Sequence, residues 1–225
     1  GVYTIAVTES AVEGFALLAG DGETPGFFAR RVPIPATGPQ GVFLGGPTNS
    51  HPTFLARDQG GDHYLGLIAS GPFEMLWVLH DPERGPGAPL VGLECAGGGL
   101  AARAVARAHH VVIASSSGKD FGICDLTRER MPPPDRVRLV SVSIPREPRL
   151  LFEVDHEEIV TDVEVVASGE EEVWLGWQAG GQVFVARVEE GGSTLYGPTL
   201  IAEGSVGPIA MAMRGDELLV AHVGA

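Results

Sequence analysis

Short apolar runs separated by polar turns recur along the whole of this chain. In Pro208–Gly224 (PIAMAMRGDELLVAHVG), alternating small and apolar residues lead through a Gly/Asp/Glu turn into a second apolar run, and Asp162–Gly180 has the same form. Pro52–Gly71 and Leu100–Gly118 give two further copies, and Val2–Ser10 matches the second strand of a fifth. Copies spaced about 45 to 60 residues apart indicate a repeated four-stranded unit, the blade of a β-propeller.

The apolar runs have the length and composition of β-strands. They are rich in β-branched, leucine and aromatic residues and end at Gly, Pro, Asp or Ser. Nothing between them is long enough for the crossover helix of a parallel sheet. We therefore predict antiparallel meanders with strands at Tyr3–Val7, Phe15–Leu18, Phe27–Ile34, Thr53–Ala56, Tyr64–Ile68, Met75–Leu79, Leu90–Leu93, Val111–Ala114, Phe121–Cys124, Val137–Ser143, Leu150–Val154, Val163–Val166, Val173–Trp177, Val183–Val188, Thr199–Ala202, Ile209–Met213 and Leu218–Val223.

Turn chemistry adds local predictions. Val173–Val188 is predicted to be a hairpin, because the glycines in Ala179-Gly180-Gly181-Gln182 can take the positive φ of a tight reversal. Leu100–Ala108 has the alanine content of a helix, but the register of the repeat favours a strand there. Proline donates no ladder hydrogen bond, so three proline-rich segments are predicted to be loops: Val32–Pro47, Asp81–Pro89 and Met131–Asp135.

The predicted architecture is a single all-β domain over residues 1–225, a β-propeller of about four or five blades. In this register the N-terminus starts at a second strand and the C-terminus stops after two strands. The array is therefore incomplete, or it is closed by its terminal strands or by a partner chain. We predict that Leu218–Val223 pairs with a strand from outside its own hairpin, because soluble proteins cover apolar edges. A two-sheet β-sandwich is the alternative, since it has similar strand spacing.

Charge and hydropathy narrow the classes of partner. The net charge of −14, from 29 acidic and 15 basic residues, repels phosphate backbones and disfavours nucleic acid. No apolar run approaches the roughly 20 residues that span a bilayer, so we expect no membrane span. The chain starts at Gly1-Val2 with no initiator Met or leader, and we interpret this as a removed signal peptide or a fragment.

Two cysteines, Cys95 and Cys124, bear on the compartment. They could pair as one disulfide in an oxidising compartment or stay reduced. Both adjoin apolar strand residues, in VGLEC and FGIC, which favours two buried thiols.

Motifs for common chemistry are absent from the sequence. There is no GxSxG elbow, Walker loop, HExxH or Cys/His zinc spacing, and no Ser-x-Asp-x-Gly-x-x-Trp box of sialidase-like repeats. A propeller glycosidase would need a pair of axial carboxylates. Aspartates near predicted strand ends usually form turns, so we assign no catalytic residue among Asp62, Asp81, Asp125, Asp162 and Asp216.

Two acidic turns could supply oxygen ligands to calcium. One contains Asp58 and Asp62 around Gly60-Gly61, and the other contains Asp21 and Glu23. Neither follows the EF-hand pattern, so we interpret both as exposed turns and expect no cofactor. His109-His110 could also bind a metal, but adjacent strand residues face opposite sides.

Aromatic and basic residues have structural explanations. Trp77, Trp174 and Trp177 lie in the most apolar strands, so we predict packing between sheets rather than stacking on a sugar or peptide. Arg30-Arg31 and the stretch Arg128–Arg149 are the basic segments, and we interpret them as solvated loops rather than an anion site.

With patterns such as EEVWLGWQAGGQVFVARV, the chain resembles bacterial β-propeller arrays of divergent blades, as found in secreted or cell-surface proteins. The resemblance implies a scaffold with a loop-bearing binding face and no catalytic residues. We expect a non-catalytic module that binds protein or carbohydrate through rim loops and the central channel, in an extracellular or periplasmic location. The alternatives are a propeller glycosidase or lyase, and a subunit or processed fragment of a larger assembly.

Overall fold

The structure, a computed structural model, describes residues 50–70, 74–80, 90–118, 132–143 and 146–224, together with the backbone of four strands between residues 2 and 43. Side chains are described only within the segments after residue 52. These residues form β-strands and no helix. In particular, none of the described segments is a helix with the length and apolar character needed to cross a membrane.

The strands form four antiparallel sheets of four consecutive strands and one terminal hairpin. The first sheet contains β1 (Val2–Val7), β2 (Glu13–Ala19), β3 (Phe27–Pro33) and β4 (Val42–Phe43); the second contains β5 (Ser50–Arg57), β6 (His63–Ser70), β7 (Glu74–His80) and β8 (Leu90–Ala96). The third contains β9 (Ala102–Ala106), β10 (Val111–Ser117), β11 (Arg136–Val142) and β12 (Arg149–Asp155). The fourth contains β13 (Val160–Ala167), β14 (Glu172–Ala179), β15 (Gln182–Glu189) and β16 (Thr194–Glu203), and the terminal hairpin contains β17 (Ser205–Arg214) and β18 (Glu217–Gly224).

The first strand of each sheet lies beside the first strand of the next sheet. Contacts join β1 to β5, β5 to β9, β9 to β13 and β13 to β17. Thr53 Oγ1 on β5 donates a hydrogen bond to the carbonyl of Ala102 on β9 (3.0 Å). Asp162 Oδ2 on β13 accepts one from the N–H of Ile209 on β17 (2.9 Å). The sheets therefore follow one another around a row of inner strands, as in a propeller.

Apolar side chains fill the spaces between successive sheets. On β10, Val111 and Ile113 pack toward the second sheet, and Val112 and Ala114 pack toward the fourth. Neighbouring strand residues point to opposite faces, so both faces of the third sheet are covered. This arrangement explains why strands such as β10 are apolar at almost every position rather than at alternate positions.

Most of the predicted repeat is confirmed. The four complete copies are the first two strands of the second, third and fourth sheets and the terminal hairpin. The all-β, propeller-like prediction is confirmed, and the number of sheets differs from that of a two-sheet sandwich. Leu100–Ala108 contains strand β9 rather than a helix. The predicted hairpin turns where Ala179 pairs with Gln182, with φ values of 56° at Gly180 and 76° at Gly181.

The register predicted at the N-terminus is wrong, whereas the C-terminus ends in a first and a second strand, as predicted. Val2–Val7 is the first strand of a four-stranded sheet, not a second strand. Among the described residues, β18 pairs only with β17, so Leu218–Val223 is not joined by the N-terminal strand. The sequence of a short apolar run does not indicate its position within a sheet, which is why the position of the N-terminal strand was predicted wrongly. The segment Val32–Pro47, expected to be a loop, also contains β4, and Phe121–Cys124 lies outside the described residues.

Tryptophan burial is confirmed for one of the three residues. Trp177 is fully buried in the cluster between the third and fourth sheets. Trp77 and Trp174 are half-buried; Trp174 packs edge-on against Tyr196, with ring centroids 5.6 Å apart.

The favoured interpretation of two free thiols is wrong for Cys95, which is buried and disulfide-bonded. The apolar context correctly indicated burial. However, it could not indicate pairing, which depends on how the fold brings two distant segments together. The other cysteine, Cys124, lies outside the described residues.

Candidate functional site

The ends of the sheets form two rims. We call one the hairpin rim, because it carries the first turn of successive sheets at residues 58–62, 107–110, 168–171 and 215–216. The other, the connection rim, carries the links between the described sheets and the turn between β14 and β15. Polar and charged side chains cluster on each rim and along the inner strands between them.

Turns on the hairpin rim hold neighbouring sheets together. The N–H groups of Gln59 and Gly60 donate to the carbonyls of Arg107 (2.9 Å) and Ala108 (3.1 Å). The buried guanidinium of Arg107 in turn donates to the carbonyls of Gly169 (3.3 Å) and Glu172 (2.5 Å). The second, third and fourth sheets are thereby linked in series, which gives this rim a fixed shape.

A buried carboxylate neutralises Arg107. Glu190, from the turn after β15, forms an ion pair with Arg107 Nε. Its other oxygen, Oε2, lies 2.7 Å from His110 Nε2. Glu190 therefore holds two side chains of the third sheet, and the cluster is a structural contact between sheets with its charge satisfied.

Three ionisable side chains meet on the inner strands. Arg103 on β9 lies 3.8 Å from both Asp162 Oδ1 and Glu164 Oε2 on β13. Burial raises the pKa of Glu164, and the Val165 N–H and Arg103 partly oppose that effect. Two carboxylates are thus brought together near the centre, although Asp162 also accepts the Ile209 N–H.

A cleft of about 680 Å³ opens on the connection rim between the fourth sheet and the terminal hairpin. Gln178 Nε2 donates to the carbonyl of Ser205 (2.8 Å) at its floor, and the Ser205 N–H donates to the carbonyl of Gly181 (2.9 Å). Asp162 reaches the same cleft, alongside the exposed side chains of Ile159 and Val206. This mixed polar and aliphatic lining is suited to binding a ligand. The Asp162 carboxylate is already engaged by the Ile209 N–H, so the cleft offers no free carboxylate from Asp162 for acid–base catalysis.

The two acidic turns that could supply calcium ligands are only partly within the described residues, and the interpretation of an exposed turn is wrong for Asp58. Asp58 is buried, and its Oδ1 accepts the N–H of Asp62 (3.0 Å), so this carboxylate stabilises its own turn. Asp62 Oδ2 lies 3.4 Å from His80 Nε2. In the segments that the structure describes, no group of three His, Cys, Asp or Glu side chains is placed to hold a metal. Asp21 and Glu23 lie outside those segments, as do Asp81 and Asp125, and Asp216 is exposed in the last turn.

One unusual residue escaped the sequence analysis. Glu94 on β8 is almost fully buried, and burial raises its pKa to about 7, although Arg138 lies 3.3 Å away and favours its charged form. A charged residue inside the apolar run VGLECA was the available signal.

Comparison with known proteins gives similarity in fold. No family model and no curated protein matches the chain. The solved structure of apo prolyl oligopeptidase B from Galerina marginata is similar with a TM-score of 0.58 and 12% identity, over 98% of this chain and 30% of that one. The same enzyme bound to a 35mer hydrolysis and macrocyclization substrate gives a TM-score of 0.55 and 14% identity, over 96% and 29%.

These similarities support the propeller-like fold and nothing finer, because the identity is low. The chain spans about 30% of the length of the enzyme it matches. Similarity to an apocarotenoid oxygenase from Synechocystis is weaker, with a TM-score of 0.40.

Proposed function

We propose that this chain is a non-catalytic assembly module that takes up a β-strand of a protein partner at its terminal hairpin. The observation that carries the proposal is the outer face of the hairpin, which we define as the side chains of Ala210, Ala212, Leu219, Ala221 and Val223. Ala210 is paired with Ala221 and Ala212 with Leu219 across the hairpin, and opposed residues share a face. All five are exposed.

Both faces of the hairpin are apolar. The inner face packs on the fourth sheet, where Ile209 is buried and Met211 lies against Gly176. An antiparallel sheet with one face in water normally alternates apolar and polar residues. Apart from the Arg214–Glu217 ion pair beside the turn, the outer face carries only apolar side chains, as in a sheet that is covered on both sides, like the third sheet.

The edge of β18 that has no partner among the described residues has the character of an interior strand. Leu218–Val223 (LLVAHV) contains no lysine, proline or carboxylate, the residues that discourage edge-to-edge pairing. An extended segment of a partner can add to such an edge through main-chain hydrogen bonds, with its alternate side chains giving specificity. The earlier sheets each carry a third strand beside their second, and we propose that the partner supplies the equivalent strand here.

A peptide with the sequence of β15, residues 182–189 (QVFVARVE), tests the proposal because it is the third strand of the preceding sheet. We expect it to bind and to slow amide hydrogen exchange in residues 217–224. A scrambled peptide is the control. Leu219→Lys should abolish binding, whereas Leu195→Lys, at a similarly exposed position on β16, should not.

Two results would overturn the proposal. One is the absence of peptide binding and of any change in exchange. The other is a dimer that Leu219→Lys dissociates, which would make a second copy of the chain the occupant. Saturable binding of oligosaccharides on a glycan array, insensitive to Leu219→Lys, would favour the carbohydrate ligand that the sequence also predicts.

Glycoside hydrolysis is a second candidate function. It is favoured by Asp162 and Glu164 on one inner strand, with the pKa of Glu164 raised as a general acid requires. The ion contacts of both carboxylates with Arg103 weigh against it. Turnover of generic glycosidase or lyase substrates that is lost in Glu164→Gln would favour this candidate over the binding module.

We also propose an extracellular or periplasmic location. The disulfide at Cys95 supports it, because structural disulfides persist in oxidising compartments. Alkylation followed by mass measurement should find oxidised cysteines in protein isolated from its natural source. Two alkylated thiols would contradict the proposal.

A further inference from the structure

We infer that a second cleft, on the hairpin rim of the third sheet, binds a phosphate or sulfate group. The cleft has a volume of about 430 Å³ and lies between the turn before β10 and the segment before β12. Its donors are His109, His110, Ser141, Arg146 and Arg149. It is separate from the terminal hairpin, so its test is independent of the proposed assembly function.

The two arginines of this cleft carry charge that no carboxylate neutralises. Within the described residues, Arg149 donates from Nη2 to a neutral acceptor, the main-chain carbonyl of Glu190. Arg146 has no side-chain hydrogen bond or ion pair in the same part of the chain. Two guanidinium groups in one concave surface suit an oxyanion, because each can donate two parallel hydrogen bonds to its oxygens.

Two of the donors, His110 and Arg149, are held in place before any ligand binds. Glu190 positions His110 through its side chain and Arg149 through its carbonyl. Glu190 is itself only 8% exposed and is fixed by its ion pair with Arg107. Ser143 Oγ donates to the carbonyl of His109 (3.2 Å) and steadies the facing turn. Donors that are already ordered lose less entropy on binding.

The local charge balance is positive even though the protein is acidic. Glu147 also lines the cleft, and Glu190 lies behind it. Against these two carboxylates stand three guanidinium groups, from Arg107, Arg146 and Arg149, which leaves one positive charge from these five side chains. At physiological ionic strength, charges more than about 8 Å away are largely screened, so the net charge of −14 does not cancel this local excess.

The site favours a tetrahedral anion over a carboxylate. Its donors come from two segments that face each other across the cleft, and a phosphate or sulfate offers acceptor oxygens in both directions. A free anion and a phosphorylated or sulfated sugar share this chemistry. Inorganic phosphate, inorganic sulfate and glucose 6-phosphate are therefore the three probes, and unphosphorylated glucose is the control.

Calorimetric titration at constant ionic strength tests the site. We expect one saturable site with a Kd on the order of 1 mM for inorganic phosphate or sulfate. Tighter binding of glucose 6-phosphate than of inorganic phosphate would identify a sugar ester as the source of the anion. Arg149→Gln and Arg146→Gln should each weaken binding about tenfold, the effect of losing one charge-assisted hydrogen bond. Glu147→Gln should strengthen it.

Arg214→Gln is the matched control, since Arg214 is an exposed arginine on β17 paired with Glu217. It should leave binding unchanged. Arg149→Gln removes a single contact at an exposed position, and Arg146→Gln removes no described contact, so both should fold normally. Absence of saturable binding up to about 50 mM anion, or equal weakening by Arg214→Gln, would overturn the site.

Discussion

Glu94 is the most buried of the carboxylates described above. It sits on β8 with a side chain that is 1% exposed, facing Arg138 from the third sheet. Arg138 is shared with the more exposed Glu153, whose Oε2 accepts from Arg138 Nε (2.7 Å). Since burial outweighs the attraction of Arg138, the pKa of Glu94 rises from 4.5 to about 7, and the interface between the second and third sheets becomes sensitive to pH.

Stability should fall as pH rises through this range. The folded protein keeps the Glu94 proton between pH 4.5 and about 7, where the unfolded chain has lost it. The protonated Glu94 therefore stabilises the fold by up to about 3 kcal/mol below pH 4.5. This contribution decreases as the pH rises from 4.5 and is lost once the pH has passed about 7. In denaturant unfolding, Glu94→Gln should lack this pH-dependent loss of stability and should be more stable than the wild type at pH 8. Parallel stability–pH profiles for the wild type and Glu94→Gln would contradict the prediction. The control variant Glu153→Gln should keep the loss of stability with rising pH.

Trp177 should be the most costly tryptophan to truncate. Its indole Nε1 donates to His156 Nε2 (2.6 Å), and its ring stacks on Phe184 with centroids 5.6 Å apart. Trp177→Ala leaves a cavity in the core and should lower the free energy of unfolding by about 3 to 5 kcal/mol. Trp174→Ala, at a half-buried site, should lose less. Wild-type melting of Trp177→Ala would mean that the residue is not a core residue.

At the scale of elements, the second strand of every sheet carries a small residue opposite the first strand. These residues are Ala16, Gly66, Ala114, Gly176 and Ala221, paired with Ile5, Phe54, Arg103, Glu164 and Ala210. At Gly66 a Cβ would collide with the ring of Phe54, and at Gly176 with Met211 of the next sheet. The two glycines therefore allow close packing at Gly66 and Gly176.

A larger side chain at Gly176 should loosen the terminal hairpin. Gly176→Leu overfills the space occupied by Ile209 and Met211, at a cost of about 1 to 3 kcal/mol. Hydrogen exchange should therefore speed up in residues 205–224 while the third sheet stays protected. Gly169→Leu would be a poor control because Gly169 has a φ of +79°; Ser168→Leu, in the same turn, is suitable. Uniform acceleration throughout the protein would contradict a local effect.

Much at this scale could be predicted from the sequence, and the reasons are physical. Apolar periodicity and glycine turns are local, so the hairpin at Gly180-Gly181 and the strand at Ala102–Ala106 were predictable. The position of β1 within its sheet was not, because it depends on pairing. The contact of His110 with Glu190 joins residues 80 apart in the sequence, and no local pattern encodes it.

At the scale of the whole molecule, the disulfide at Cys95 adds a covalent link to a largely non-covalent array. Cys95 lies on β8, next to the sheet interface that holds Glu94, and its carbonyl accepts the N–H of Gly118 (3.1 Å). The link therefore acts where the second and third sheets meet.

Reduction should destabilise the protein as a whole. A native disulfide in a small domain contributes about 2 to 5 kcal/mol, so the unfolding midpoint should fall when dithiothreitol is added. Cys95→Ser should show the lower midpoint with and without reductant. An unchanged midpoint for the wild-type protein would mean that the bond carries no stability.

The meander order of the sheets also has a consequence for synthesis. Each sheet consists of consecutive strands, so all the strands of one sheet have left the ribosome before the next sheet begins to appear. At about 5 to 20 residues per second, a further sheet takes several seconds to appear. During that interval the newest sheet has an apolar face in water, and the outer face of the terminal hairpin has the same exposure. At every stage of translation, an exposed apolar face is therefore available for chaperones to bind. Slower translation between sheets should increase aggregation.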